Sequence, residues 1–140
     1  MIRRLLANPN IRQFLRFVVV GTASTAVDWT IFFSLTSWSP WFANRPLIAN
    51  ALAFAGGFTN SYFFNRRWTF RSTDVQHVRQ VGRFLLVTLV GLGLSELIVY
   101  WLLPFTGSRL LTKTFAVAVT LWWNFAGGRF WAFRKPPGNP

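Results

Sequence analysis

Cysteine is absent from the 140 residues, so no disulfide framework or thiolate metal site is available and nothing indicates a redox compartment. Acids are almost absent too: Asp28, Asp74 and Glu96 stand against 15 lysines and arginines, and the single histidine is His77. That poverty leaves no metal-ligand spacing and no Ser/His/Asp set. Nor is there a glycine-rich nucleotide loop, so neither an enzyme nor a cofactor is expected. Charged residues of both signs make up 13% of the chain, against 52% apolar and 19% aromatic, which is far from the usage of a soluble domain. In a soluble domain a net charge of +12 would point to nucleic acid. Here the cations sit in short segments between long apolar runs, which argues against nucleic acid and for a membrane protein.

Four runs nearly free of charge divide the chain. Between Arg16 and Arg45 the one charged residue is Asp28, and between Arg45 and Arg66 there is none; between Arg83 and Arg109 there is Glu96, and between Lys113 and Arg129 none. Each run approaches the roughly 20 apolar residues a helix needs to cross hydrocarbon. The expected fold is an all-α membrane protein, a single domain over 1–140 with four transmembrane helices at about 14–35, 46–64, 84–103 and 110–130. The fourth has a short charge-free core, with Lys113 and Arg129 able to snorkel to the two interfaces. Pro40, Pro46 and Pro104 are expected at helix ends, where no helix hydrogen bond is broken. Val75, Val78 and Val81, with Arg and Gln between them, suggest a short interfacial helix before the third span, and His77 is expected to be solvated.

The cations set an orientation. Arg3, Arg4, Arg12 and Arg16 precede the first span, Arg66, Arg67, Arg71, Arg79 and Arg83 fill the middle loop, and Arg129, Arg134 and Lys135 form the tail. The remaining loops hold Arg45, Arg109 and Lys113, so the positive-inside rule puts both termini and the middle loop in the cytoplasm. Arg3 and Arg4 ahead of an apolar stretch, with small residues at 23–26, also fit a cleaved signal peptide. An internal repeat argues against cleavage, because it would destroy half of a duplicated unit.

That repeat is visible twice over. Asn60 to Arg71 reads Asn-Ser-Tyr-Phe-Phe-Asn-Arg-Arg-Trp-Thr-Phe-Arg, and Arg66, Trp68, Phe70 and Arg71 recur at constant offset as Arg129, Trp131, Phe133 and Arg134. Upstream, Arg12, Gln13, Arg16 and Phe17 align with Arg79, Gln80, Arg83 and Phe84, and one further residue of shift brings Asp28 onto Glu96. The unit is a two-helix hairpin that starts and ends in the cytoplasm, so two such hairpins make a parallel repeat.

Gly21, Ser24, Thr25 and Asp28 share one face of the first helix, and Thr88, Gly91, Ser95 and Glu96 a similar face of the third. Ala49, Ala53, Gly56, Gly57 and Asn60 stripe the second helix, and Thr120, Asn124, Gly127 and Gly128 the fourth. Small and polar residues of this kind serve close helix packing. The acids are different, since a carboxylate at bilayer depth costs roughly 2.5 to 3.5 kcal/mol and is seldom left without a partner or a task. Asp28 and Glu96 both fall about 18 to 20 Å from the cytoplasmic edge, and they are read either as substrate or proton groups or as buried acids bonded to neighbouring hydroxyls or an Asn. For the cationic aromatic cluster, Arg and Trp are ordinary interface anchors. With Asn60, Asn65 and Asn124 beside them, they are also what a lipid phosphate would need.

These residues resemble the GtrA-like family of small four-span bacterial membrane proteins. The likeness is carried by Arg16-Phe17 with Gly21, Thr25 and Asp28, by Asn65-Arg66-Arg67-Trp68-Thr69-Phe70, by Arg83-Phe84, and by Asn124 with Arg129-Phe130-Trp131-Ala132-Phe133. Ser24 and Gly128 stand where an Asn is common in that pattern. The resemblance implies a bacterial inner-membrane flippase, with no catalytic residues. It would carry a polyprenyl-phosphate-linked sugar to the outer leaflet, for modification of O-antigen or another surface polysaccharide. On that reading Arg66, Arg67, Arg129, Arg16 and Arg83 would capture the phosphate and Asn60, Asn65 and Asn124 complete its shell. Asp28 and Glu96 would meet sugar hydroxyls or carry a proton, with Trp29, Trp122 or Trp123 stacking on the sugar. The expected partners are the lipid-linked sugar, membrane lipids and a glycosyltransferase, with a second copy of the chain because four helices make a thin wall for a headgroup pathway, and no nucleic acid. Two other classes stay open: a scaffold that anchors a glycosyltransferase, and a proton-coupled exporter of small cations.

Overall fold

The computed structural model describes residues 8–134, apart from the side chain of Arg109. Arg3, Arg4 and Lys135, counted above among the orienting cations, lie outside the described residues. Among those residues there is helix and no strand, and the chain divides into two compact units, Met1–Arg71 and Ser72–Pro140.

The first unit holds α1 (Pro9–Trp38), the short α2 (Pro40–Ala43), α3 (Pro46–Phe64) and a π-helical turn, Asn65–Thr69. The side chain of Asn8 caps α1 by accepting from the Asn10 amide at 2.9 Å, with Pro9 in the first turn, where its missing N–H is no loss. Helix α1 therefore starts well before the apolar run at Phe14. Hydropathy marks where hydrocarbon begins, whereas a cap marks where a helix begins. Ser39 is extended (φ −130°, ψ 114°) ahead of Pro40, as the residue before a proline must be.

The second unit holds α4 (His77–Thr106), α5 (Arg109–Gly127) and a second π-helical turn, Gly128–Ala132. Two expectations are corrected here. No separate interfacial helix forms around Val75 to Val81, because α4 runs unbroken from His77 with no proline in its first turns to stop it. Pro104 lies inside α4, in its last turn, and has no N–H to return to the Tyr100 carbonyl. The helix ends two residues later at Thr106 and is capped by Gly107, whose φ of 60° is left-handed and suits glycine. Its N–H closes on the Leu103 carbonyl at 3.0 Å.

By length and apolarity α1 and α4 can each cross a membrane. Thirty residues at about 1.5 Å each reach ~45 Å, longer than the ~30 Å hydrocarbon layer. Hydroxyls on all four long helices need no interhelical partner. Thr22, Ser24, Thr25, Thr30, Thr59, Thr88 and Thr114 each donate to the carbonyl four residues back, at 2.7–3.0 Å, which makes them tolerable in lipid.

Each unit is an antiparallel hairpin, and the two bury equivalent residues. Phe17, Val20, Ala49, Ala53, Tyr62 and Phe70 form the core of the first, and Phe84, Val87, Thr112, Ala116, Phe125 and Phe133 that of the second. These pair one to one at the sequence offsets found above. The connection is where the copies differ: the first unit has α2 between its long helices, and the second has only Gly107 and Ser108.

Candidate functional site

The repeated cationic aromatic segments each close on a π-helical turn. In the first, the Phe70 N–H donates to the Asn65 carbonyl at 2.8 Å, and in the second the Phe133 N–H donates to that of Gly128, also at 2.8 Å. A five-residue return in place of four widens the helix by one residue, a feature frequent at functional sites. It turns Phe70 and Phe133 back onto the first helix of their own unit. Phe70 packs on Phe17 with ring centroids 6.1 Å apart, and Phe133 on Phe84 at 5.1 Å.

One turn outward the cations close the same way. The Arg16 guanidinium lies over the Trp68 ring at 5.6 Å, and Arg83 lies over Trp131 at 5.7 Å. Arg16 Nη1 also donates to the Trp68 carbonyl at 3.4 Å. Trp68 and Trp131 are 41% and 42% exposed, so each ring keeps one face for its arginine and an edge for its surroundings. The result is two collars, each a stacked Arg–Trp pair at the end of a helical hairpin. An arginine held on an indole face keeps N–H donors free for an oxyanion.

The other cations differ in their engagement. Arg66 Nη1 reaches the Tyr62 hydroxyl at 3.5 Å, and Arg129 stacks on Phe130 at 5.3 Å. Arg67 is exposed and makes no hydrogen bond or ring contact with any described residue.

The amides are not all placed where a ligand could reach them. Asn65 is 0% exposed, and its Nδ2 donates to Ser61 Oγ at 3.1 Å. It therefore holds the π turn from inside and cannot line a phosphate site at the surface. Asn60 is half-buried and donates from Nδ2 to Ser24 Oγ at 3.0 Å. Asn124 faces Gly91, and a Cβ added there would lie 2.5 Å from Asn124 Oδ1. Asn65 Oδ1, Thr69 Oγ1 and Asn124 Oδ1 are buried without a hydrogen-bond partner, each at a cost of about 1–3 kcal/mol.

Asp28 and Glu96 sit differently in their units. Asp28 is half-buried and faces α3, its Cβ 2.9 Å from where a Cβ on Gly57 would stand. Glu96 is exposed in its own unit. Helix α4 is continuous, so the one-residue shift that aligns the acids in sequence is never absorbed. Ser95 takes the place of Asp28, and Glu96 is rotated by roughly 100° from it. Trp29 is exposed and meets Phe33 edge-on at 6.4 Å. Trp123 donates from Nε1 to the Val87 carbonyl at 3.1 Å, and Trp122 packs edge-on against Phe125.

Several contacts went unnoticed in the sequence. Gln13 Nε2 donates to the Thr69 carbonyl at 3.2 Å, tying α1 to the first π turn. The buried Gln80 donates to Ser72 Oγ at 2.8 Å. The repeat of Arg-Gln before each span was the available signal.

A family model described as GtrA/DPMS, transmembrane domain, matches residues 16–133, an interval that opens on the first collar arginine and closes on Phe133. The chain is also similar to a Bacillus subtilis (strain 168) protein named uncharacterized membrane protein YngA. The two are 31% identical over 118 residues, which cover 84% of this chain and 77% of that one. No solved structure matches the chain significantly.

Proposed function

Because the chain belongs to the GtrA/DPMS transmembrane-domain family, membrane proteins linked to polyprenyl-phosphate sugars, we propose that it is a flippase for such a lipid in the bacterial inner membrane. It moves the sugar-bearing lipid from the cytoplasmic to the outer leaflet, for use in surface polysaccharide or O-antigen modification. On this reading α1, α3, α4 and α5 all span the bilayer. The two hairpins are a parallel repeat, with both termini and the segment between the hairpins in the cytoplasm.

The observation that carries the reading is the pair of collars. Two Arg–Trp stacks of nearly equal geometry, 5.6 and 5.7 Å, close two hairpins of apolar surface at equivalent residues. An indole settles at headgroup level, and a guanidinium there offers a phosphate two parallel N–H donors. The chemistry required is capture and release, with no bond made or broken, and the chain acts as a transporter. Asp28, half-buried along α1, is the group best placed to meet sugar hydroxyls or a proton, with Glu96, Trp29 and Trp123 as further contacts. A glycosyltransferase would use the delivered sugar, and a second copy of the chain would thicken the wall around a headgroup pathway.

The test is reconstitution into liposomes with a fluorescent polyprenyl-phosphate sugar in one leaflet. The expected result is faster loss of leaflet asymmetry than in protein-free liposomes. Equal rates in the two would refute the translocation reading.

A further inference from the structure

Beside the first collar a slot of about 560 Å³ opens within the amino-terminal unit. One wall is a stripe of α1, Val19, Ala23 and Val27, at four-residue spacing and so on one face; Phe64 at the end of α3 forms another. The stripe spans about 12 Å of helix. At the collar end stand Arg67 and Trp68, and Asn60 lies one turn further in. Arg67 is exposed and makes no hydrogen bond or ring contact with any described residue. The slot thus joins an apolar channel to an uncommitted guanidinium.

The second unit does not repeat these residues. At the repeat offset Arg67 becomes Phe130, Phe64 becomes Gly127, Asn60 becomes Trp123 and Ala23 becomes Val90. An aromatic ring replaces the cation, a residue without a side chain replaces Phe64, and a larger side chain replaces Ala23. The collar residues are duplicated, but Ala23, Asn60, Phe64 and Arg67 of the slot are not.

We propose that the amino-terminal hairpin alone binds a single-chain lipid phosphate, its phosphate on Arg67 and the first part of its chain in the slot along Val19, Ala23 and Val27. Charge complementarity selects the phosphate, because an exposed guanidinium at a headgroup boundary makes charge-assisted hydrogen bonds to a phosphate oxygen. A single slot selects one chain over the two of a bilayer phospholipid. This rests on the proposed lipid-phosphate substrate for the class of ligand; the place and the asymmetry rest on the slot.

The test is photolabelling of the full-length protein in nanodiscs with a diazirine-bearing farnesyl phosphate, and in parallel with the matching farnesol. Labels are expected within residues 19–27 and 60–68. Arg67→Gln should lower labelling by the phosphate about tenfold, the loss of one charge-assisted hydrogen bond, and leave labelling by the alcohol unchanged. Ala23→Phe, which fills the slot, should lower both. Arg71→Gln removes an exposed cation of the same segment and should change neither. Arg67→Lys, which keeps the charge, separates loss of the site from loss of the fold by restoring part of the labelling. Equal labelling of residues 86–94 and 123–130, or equal effects of Arg67→Gln and Arg71→Gln, would overturn the proposal. So would full competition by dioleoyl phosphatidic acid or by inorganic phosphate, which would identify a bulk-lipid or a free-anion site. The readout is binding, so a protein that labels as expected yet adds no transbilayer movement refutes translocation and leaves this site standing.

Discussion

Gly57→Ala should loosen the first hairpin, and the structure sets how much. A Cβ at Gly57 would stand 2.9 Å from the Asp28 Cβ and 2.9 Å from the Ser24 carbonyl oxygen. Ordinary carbon contacts are about 3.5–4.0 Å, and neither neighbour is the free end of a flexible side chain. Helix α1 must therefore move away from α3, an overpacking cost of about 1–3 kcal/mol. Against this, alanine gains about 0.8–1.0 kcal/mol over glycine as a helix former. Gly93→Ala is the reference, because nothing lies within 4 Å of its added Cβ and it receives the same propensity gain. The difference between the two variants then reports packing alone, and should be about 1–3 kcal/mol. Gly91→Ala should fall between them: the atom it meets is Asn124 Oδ1 at 2.5 Å, on an amide that can swing aside. The assay is equilibrium unfolding of the detergent-solubilised protein in sodium dodecyl sulfate, followed by tryptophan fluorescence. If Gly57→Ala proves as stable as Gly93→Ala, the close approach of α1 and α3 at this level is wrong.

Other perturbations test the collars and the polar contacts. In a double-mutant cycle Arg16→Gln and Trp68→Leu should couple by about 0.5–1 kcal/mol, the value of an exposed cation–π pair. Arg83→Gln with Trp131→Leu should couple equally; zero coupling in both cycles would remove the stacks as structural elements. Thr69→Val replaces a buried, unpartnered hydroxyl by a methyl of similar size and is expected to raise or leave unchanged the melting temperature, where a fall of several degrees would show a partner for that hydroxyl. Ser24→Ala with Asn60→Ala should lose a coupling of about 0.6 kcal/mol, typical of a hydrogen bond between membrane helices, measurable in the same unfolding assay. In liposome translocation Asp28→Asn should slow movement more than Glu96→Gln, because Asp28 faces α3 and Glu96 is exposed in its own unit. Equal rates for the two variants would count against a role for Asp28 inside the first hairpin.

Apolarity and repetition made the helical class legible, along with the existence of a duplicated unit. Helix ends were less so. Apolar runs located α1 and α4 only approximately, because Asn8 and Pro9 start the one and Gly107 stops the other. The interfacial helix expected near Val78 was misread from a period-three valine pattern, which an unbroken amphipathic start of α4 produces equally well. Asn65 looked like a ligand by composition. It is fully buried at the end of α3, where its side chain turns back to Ser61, and composition alone does not announce that burial.

What the sequence alone determined is the chemistry available and its duplication: apolar helices, a cationic aromatic closure written twice, and acids reduced to three. Those follow from composition and offset, which survive any arrangement of the chain. Tertiary structure decided which members of each set are committed. It stacked Arg16 and Arg83 on tryptophans and left Arg67 open beside a slot. It turned Asp28 toward Gly57 and left Glu96 outward, though the two align in sequence. The physical reason is angular: one residue along a helix is about 100° around it, so depth can be counted from the sequence, whereas facing depends on every bulge and turn before it.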